Sequence, residues 1–144
     1  MKLLDRFKKL RAGQRALIII AILIVSIGGW ITYDNIRPRP LGEEMVYLGK
    51  IDSGGGIFYR DYAPYSVYYY GTDIAPEQLI EQFKDTSLQH PIEDNGQYTD
   101  VWLESISGET FSLTYKKDNS FKTEKKYIVS ILDEDYMTAR QHLK

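Results

Sequence analysis

Two histidines, several carboxylate clusters and one D-S-G tripeptide are the parts of this 144-residue chain whose residue types could do chemistry. His90 sits in a loop before Pro91, and His142 is isolated near Lys144. Neither falls in an H-E-x-x-H or other paired-ligand spacing, and no G-x-S-x-G offers a serine for a triad. Both read as solvent-exposed. There are no cysteines, which excludes disulfides, thiolate zinc sites, cysteine nucleophiles and a lipid-modified cysteine. Glu93 and Asp94 lie in E-D-N-G, which lacks the alternating oxygen ladder of a calcium loop. Asp133, Glu134 and Asp135 stand where a helix start accepts acids. Gly54, Gly55 and Gly56 do not open a helix, so they form no phosphate cradle. The chain is therefore expected to be non-enzymatic, with neither cofactor nor metal. Catalysis by carboxylates alone needs a cleft, and a small sheet offers little depth for one.

Asp52-Ser53-Gly54 resembles the D-[ST]-G turn of small dimeric aspartic proteases. Lys50 and Ile51 stand where that family carries two hydrophobic residues, and "IVSIL" runs into Asp133 rather than into a glycine. A hairpin turn is the better reading.

Tyrosine is the other concentrated chemistry. "YRDYAPYSVYYY", residues 59–70, holds six of the chain's 12 tyrosines. Strand alternation puts Tyr65, Val67 and Tyr69 on one face, with Ser66, Tyr68 and Tyr70 on the other. The expectation is that Tyr69 packs against a helix face made by Leu79, Ile80 and Phe83. Tyr68 and Tyr70 would then lie partly open and, with Tyr62, contact a partner.

These residues need elements to hold them, and the charge pattern says where those elements sit. Residues 1–15 carry six basic side chains against Asp5 alone, whereas the remainder holds 12 basic and 19 acidic ones. So acidic a region repels phosphate backbones, and nucleic acid is not an expected partner. Between the two lies "ALIIIAILIVSIGGWITY", residues 16–33, without a charge. As a helix it covers about 27 Å, close to the hydrocarbon thickness of a bilayer. Arg15 marks its start, and Trp30 and Tyr33 its far end, where amphipathic rings favour the headgroup level. The basic excess before the span puts residues 1–15 in the cytoplasm and the rest outside. Cleavage after Ser26-Ile27-Gly28 is the rival reading, but the apolar character runs on through Trp30 and Ile31. Leu3, Phe7 and Leu10 share a helical spacing suited to an interfacial turn.

Residues 34–44, with Pro38 and Pro40, read as a stiff stalk. Residues 45–144 then read as an exported α+β domain with a mainly antiparallel sheet. Its expected order is three strands ("MVYLGKI", "IFYRDY", "YSVYYYG"), a helix over 75–88 capped by Asp73, three more strands and a short C-terminal helix. The turn at Ser107-Gly108-Glu109 joins "YTDVWLESIS" to "TFSLTYKK", and "KKYIVSILDE" is the last strand.

The segment "LRAGQRALIIIAILIV" is similar to the start of bitopic platform proteins of pilus and type II secretion machines. That likeness implies a basic cytoplasmic stub, one span and a small exported α+β domain. It also resembles a prepilin leader ending at Gly13, with Ile18 where a glutamate would stand. No functional residue is carried over from either. The sequence thus points to a membrane-anchored interaction module, bound to the lipid bilayer and to a membrane or envelope protein. The alternative is an envelope polysaccharide-binding module or an immunity or superinfection-exclusion factor.

Overall fold

The chain is described by a computed structural model over residues 7–53, 65–116 and 121–144. It falls into two units, 1–37 and 38–144.

In the first unit, helix α1 spans Ala12–Ile36, 25 residues with none buried. It is longer than the expected 16–33 at both ends, by residues 12–15 at its start and 34–36 at its end. At its start the Arg11 N–H donates to Gln14 Oε1 at 3.1 Å, satisfying one orphan donor. It stops before Pro38, whose ring disfavours helical backbone at Arg37. Upstream, a turn at Phe7 closes where Leu10 N donates to Phe7 O at 3.2 Å. That turn does not continue into α1, and Leu3 lies outside the described residues.

The second unit is α+β. Among the described residues it contains seven strands: β1 (Met45–Ser53), β2 (Tyr65–Thr72), β3 (Thr86–Leu88), β4 (Glu93–Asp94), β5 (Tyr98–Ser105), β6 (Thr110–Lys116) and β7 (Tyr127–Leu132). Every pairing is antiparallel, in the order β1-β2-β7-β6-β5-β3, with β4 also on β5. A 3-10 helix (Pro76–Gln82) leads from β2 to the far edge, and α2 (Asp133–Gln141) follows β7. The expected strand "IFYRDY" lies outside the described residues.

Cross-strand register decides which face is buried. Tyr68 opposes Ile131 and Tyr70 opposes Val129, while Tyr69 opposes Ser130. Phe111, Leu113 and Tyr115 of β6 and Val101 and Leu103 of β5 continue the apolar side. Leu79 of the 3-10 helix and Phe83 just beyond it cover it on one side, and Tyr136 and Ala139 of α2 also pack against it. The expectation for the tyrosines is therefore reversed: Tyr68 and Tyr70 face the core, at 3% and 0% exposure, and Tyr69 faces away.

Two further elements differ from expectation. The helix over 75–88 is a short 3-10 helix followed by β3, and Ala75, not Asp73, stands at its cap. Phe83 leaves it with extended backbone, forming an isolated bridge to Leu143. Residues 38–44 are no free stalk. Arg39 and Leu41 are buried, Tyr70 Oη donates to Arg39 O at 2.8 Å, and Tyr136 Oη to Pro40 O at 3.2 Å. Their carbonyls complete the hydrogen bonds of core tyrosines, as buried hydroxyls require.

Candidate functional site

The face of the sheet opposite the core carries the exposed groups with binding character. On β5, alternation places Tyr98, Asp100 and Trp102 on this side, and Val101 and Leu103 on the other. Tyr98 is 41% and Trp102 37% exposed; Leu132 of β7 is 44% and Tyr65 of β2 49% exposed. Between them is a depression of about 370 Å³ lined by Tyr98, Asp100, Thr114, Lys116, Ser130 and Leu132, among others.

Its floor is polar and internally bonded. Thr114 Oγ1 donates to Asp100 Oδ1 at 2.6 Å, across the β5–β6 pair. Where β7 ends, β6 loses its ladder partner, and α2 supplies a substitute. Asp135 Oδ2 accepts from Ser112 N at 3.1 Å and from Ser112 Oγ at 3.0 Å. Asp133 of the same first turn accepts from Tyr68 Oη. These acids favour the positive end of the helix dipole while tying it to the sheet. The surface offers apolar rims, hydroxyls and one carboxylate for contact.

Toward β1 this face is covered by residues 121–126. Phe121 packs on Tyr69 with ring centroids 4.8 Å apart. The lack of a side chain at two positions makes the approach feasible. A Cβ on Gly49 would come within 2.7 Å of the Phe121 ring, and one on Gly71 within 2.5 Å of Thr123 Oγ1. Asp73 then fastens the segment: its carboxylate accepts from Lys126 N at 3.0 Å and pairs with Lys125 Nζ at 2.8 Å. The Lys125 hydrogen bond, followed by the Lys126 amide, lowers the Asp73 pKa, and the same contact raises that of Lys125.

The residues singled out by sequence are distributed as follows. Tyr68 and Tyr70 are core residues, and burial pushes both phenols well above their ordinary value, Tyr68 helped by Asp133. Tyr62 lies outside the described residues. Arg15, Trp30 and Tyr33 all belong to α1. The Arg15 guanidinium donates from Nε to Leu10 O at 2.8 Å and from Nη2 to Lys8 O, closing the turn upstream. Trp30 is 70% exposed, and Arg37 lies 6.0 Å from the Tyr33 ring. His142 is not solvent-exposed as expected: it stacks on Phe111 at 6.1 Å and lies 3.1 Å from Glu109 Oε2. His90 is exposed, 6.0 Å from the Trp102 ring. Asp52 is a strand residue paired with Ser66, whose Oγ donates to it at 2.6 Å.

Trp102, Tyr98 and Leu132 were missed as candidates, although the β5 alternation of polar and apolar residues was available to place the first two. No protein-family profile matches the chain, and no curated protein or solved structure is significantly similar to it.

Proposed function

We propose that this is a single-pass membrane protein with a cytoplasmic N-terminus, whose extracytoplasmic domain is a non-catalytic protein-interaction module of a membrane or envelope complex. The observation that carries the reading is α1: a 25-residue helix with no residue buried, containing an 18-residue stretch of mean hydropathy 2.4. So apolar a surface needs lipid around it. The uncovered sheet face, with its aromatic and aliphatic rim around polar hydroxyls, supports the partner half of the reading.

Photocrosslinking in the native membrane tests it. A photoreactive residue at Trp102 or Leu132 is expected to give one discrete adduct with a membrane protein, and the same residue at Glu134 none. Absence of a discrete adduct from both face positions overturns the proposal.

A second reading is favoured by Tyr98 and Trp102, which share a face and flank Asp100. Such rings can stack on the pyranoses of an envelope polysaccharide, with the carboxylate accepting from sugar hydroxyls. Retention on isolated cell-wall glycan that is lost in Trp102→Ala would select this reading over the first.

A further inference from the structure

We propose that the cavity bordered by Lys116 and the segment 121–128 is an anion site that takes a phosphate group. The cavity measures about 560 Å³ and is lined by Lys116, Lys122, Lys125 and Lys126, together with Thr123 and Tyr127. No described carboxylate lines it.

The way the lysines are held leaves charge for a ligand. Lys125 is bound to Asp73, outside the cavity wall. Lys116 Nζ lies 3.4 Å from Tyr69 Oη and 5.3 Å from the centre of that ring, and Lys126 Nζ lies 5.2 Å from the Tyr127 ring. Aromatic faces orient an ammonium group without neutralising it. The backbone is fixed as well: Lys125 N donates to Thr123 Oγ1 at 3.1 Å, Lys126 N to Asp73, and Phe121 is seated on Tyr69. A preorganised cluster of cations loses little on binding.

Charge segregation points the same way. Residues 116–126 contain five lysines against Asp118 and Glu124, a net charge of +3, in a region beyond residue 15 that is otherwise acidic. Lysine binds phosphate as a point charge, and several around one cavity suit a doubly charged group. The acidic surroundings disfavour a long polyanion, so the ligand is compact. A free phosphate ester and a lipid headgroup share this chemistry. The site does not depend on the protein-partner reading: Lys116 borders both the open-face depression and this cavity, but Lys122, Lys125 and Lys126 border this cavity alone.

The test uses the full-length, isotope-labelled protein in nanodiscs of phosphatidylcholine, titrated with pyrophosphate at constant ionic strength. Saturable shifts confined to the amides of residues 116 and 121–128 are expected. The variant Lys122→Ala/Lys126→Ala should weaken binding by about tenfold or more, equivalent to about 1.4 kcal/mol. Lys84→Ala, away from the cavity, should leave it unchanged. A second arm replaces pyrophosphate with phosphatidylglycerol in the disc. A response of the same amides there identifies a lipid headgroup as the source, and a response to pyrophosphate alone identifies a free ester. Silence in both arms, or equal binding by the folded double variant, overturns the site.

Discussion

Three consecutive tyrosines, Tyr68, Tyr69 and Tyr70, are all buried yet do different work. Tyr70 is enclosed at 0% exposure, with its hydroxyl on Arg39 O and its ring 5.6 Å from Tyr47. Tyr70→Ala should cost about 3–5 kcal/mol, as for large aromatic residues in cores. Tyr70→Phe keeps the ring but loses the buried hydrogen bond to Arg39 O, and should cost about 0.5–1.5 kcal/mol. Tyr69→Ala removes the seat of Phe121 and the contact with Lys116, outside the main core, and should cost less than Tyr70→Ala; urea unfolding of the full chain in detergent measures all three. Equal losses for Tyr69→Ala and Tyr70→Ala would contradict the face assignment. Burial also raises the phenol pKa values of Tyr68, Tyr70 and Tyr115 above the ordinary 10.0. The folded state therefore holds these protons more tightly than the unfolded chain does. Their contribution is intact below pH 10 and declines as the pH rises toward the raised folded values. Alkaline unfolding should accompany a cooperative release of tyrosinate, measured by ultraviolet titration; tyrosines that titrate near 10 without unfolding would refute it.

Glycine and loop together form the next scale. Gly71→Ala would drive a Cβ against Thr123 Oγ1 and to 3.1 Å from Lys125 Cβ and Cγ. Overpacking of this kind costs about 1–3 kcal/mol. We expect residues 121–126 to lift, with faster amide exchange at Lys126 and loss of the Phe121–Tyr69 contact; unchanged exchange would refute the seating. Asp135→Ala should likewise cost about 1–3 kcal/mol, because it leaves Ser112 N–H without its acceptor. Calorimetry of that variant beside Asp135→Asn, which keeps one acceptor oxygen, separates the hydrogen bond from the charge. These elements also show what the sequence disclosed. α1 and the α+β class were legible because an uncharged apolar run and the alternation in β5 and β6 depend only on neighbours along the chain. The faces of β2 were not, since tyrosine follows tyrosine and only the cross-strand partners Val129, Ser130 and Ile131 distinguish them. Residues 38–44 looked like a stalk because the burial of Arg39 and Leu41 is created by distant tyrosines. The helix expected over 75–88 is shorter in the structure because its apolar spacing runs into Phe83, which the fold takes up in extended form. The open face of β5 is readable from its alternation of Tyr98, Asp100 and Trp102 with Val101 and Leu103, a weaker compositional signal than the tyrosine cluster.

At the scale of the whole molecule, the proposed topology makes a direct prediction. Protease added outside intact cells, or outside spheroplasts where an outer membrane exists, should digest residues 38–144 and spare the basic segment before α1. Protection of the domain would reverse the orientation, and quantitative release by carbonate washing would remove the membrane span altogether. The sheet order adds something of its own. β7 is the last strand along the chain, yet it lies between β2 and β6 and joins the β1-β2 pair to the β6-β5-β3 side. Until residues 127–132 emerge, a growing chain can hold only two disconnected part-sheets, each with an apolar face exposed. If the domain is exported, its assembly is therefore deferred until nearly all of it has crossed, which keeps the chain threadable during passage. The same wiring makes the domain sensitive to late truncation: a chain stopped at Lys126 would lose the keystone of the sheet together with α2, and be left as fragments for quality-control proteases.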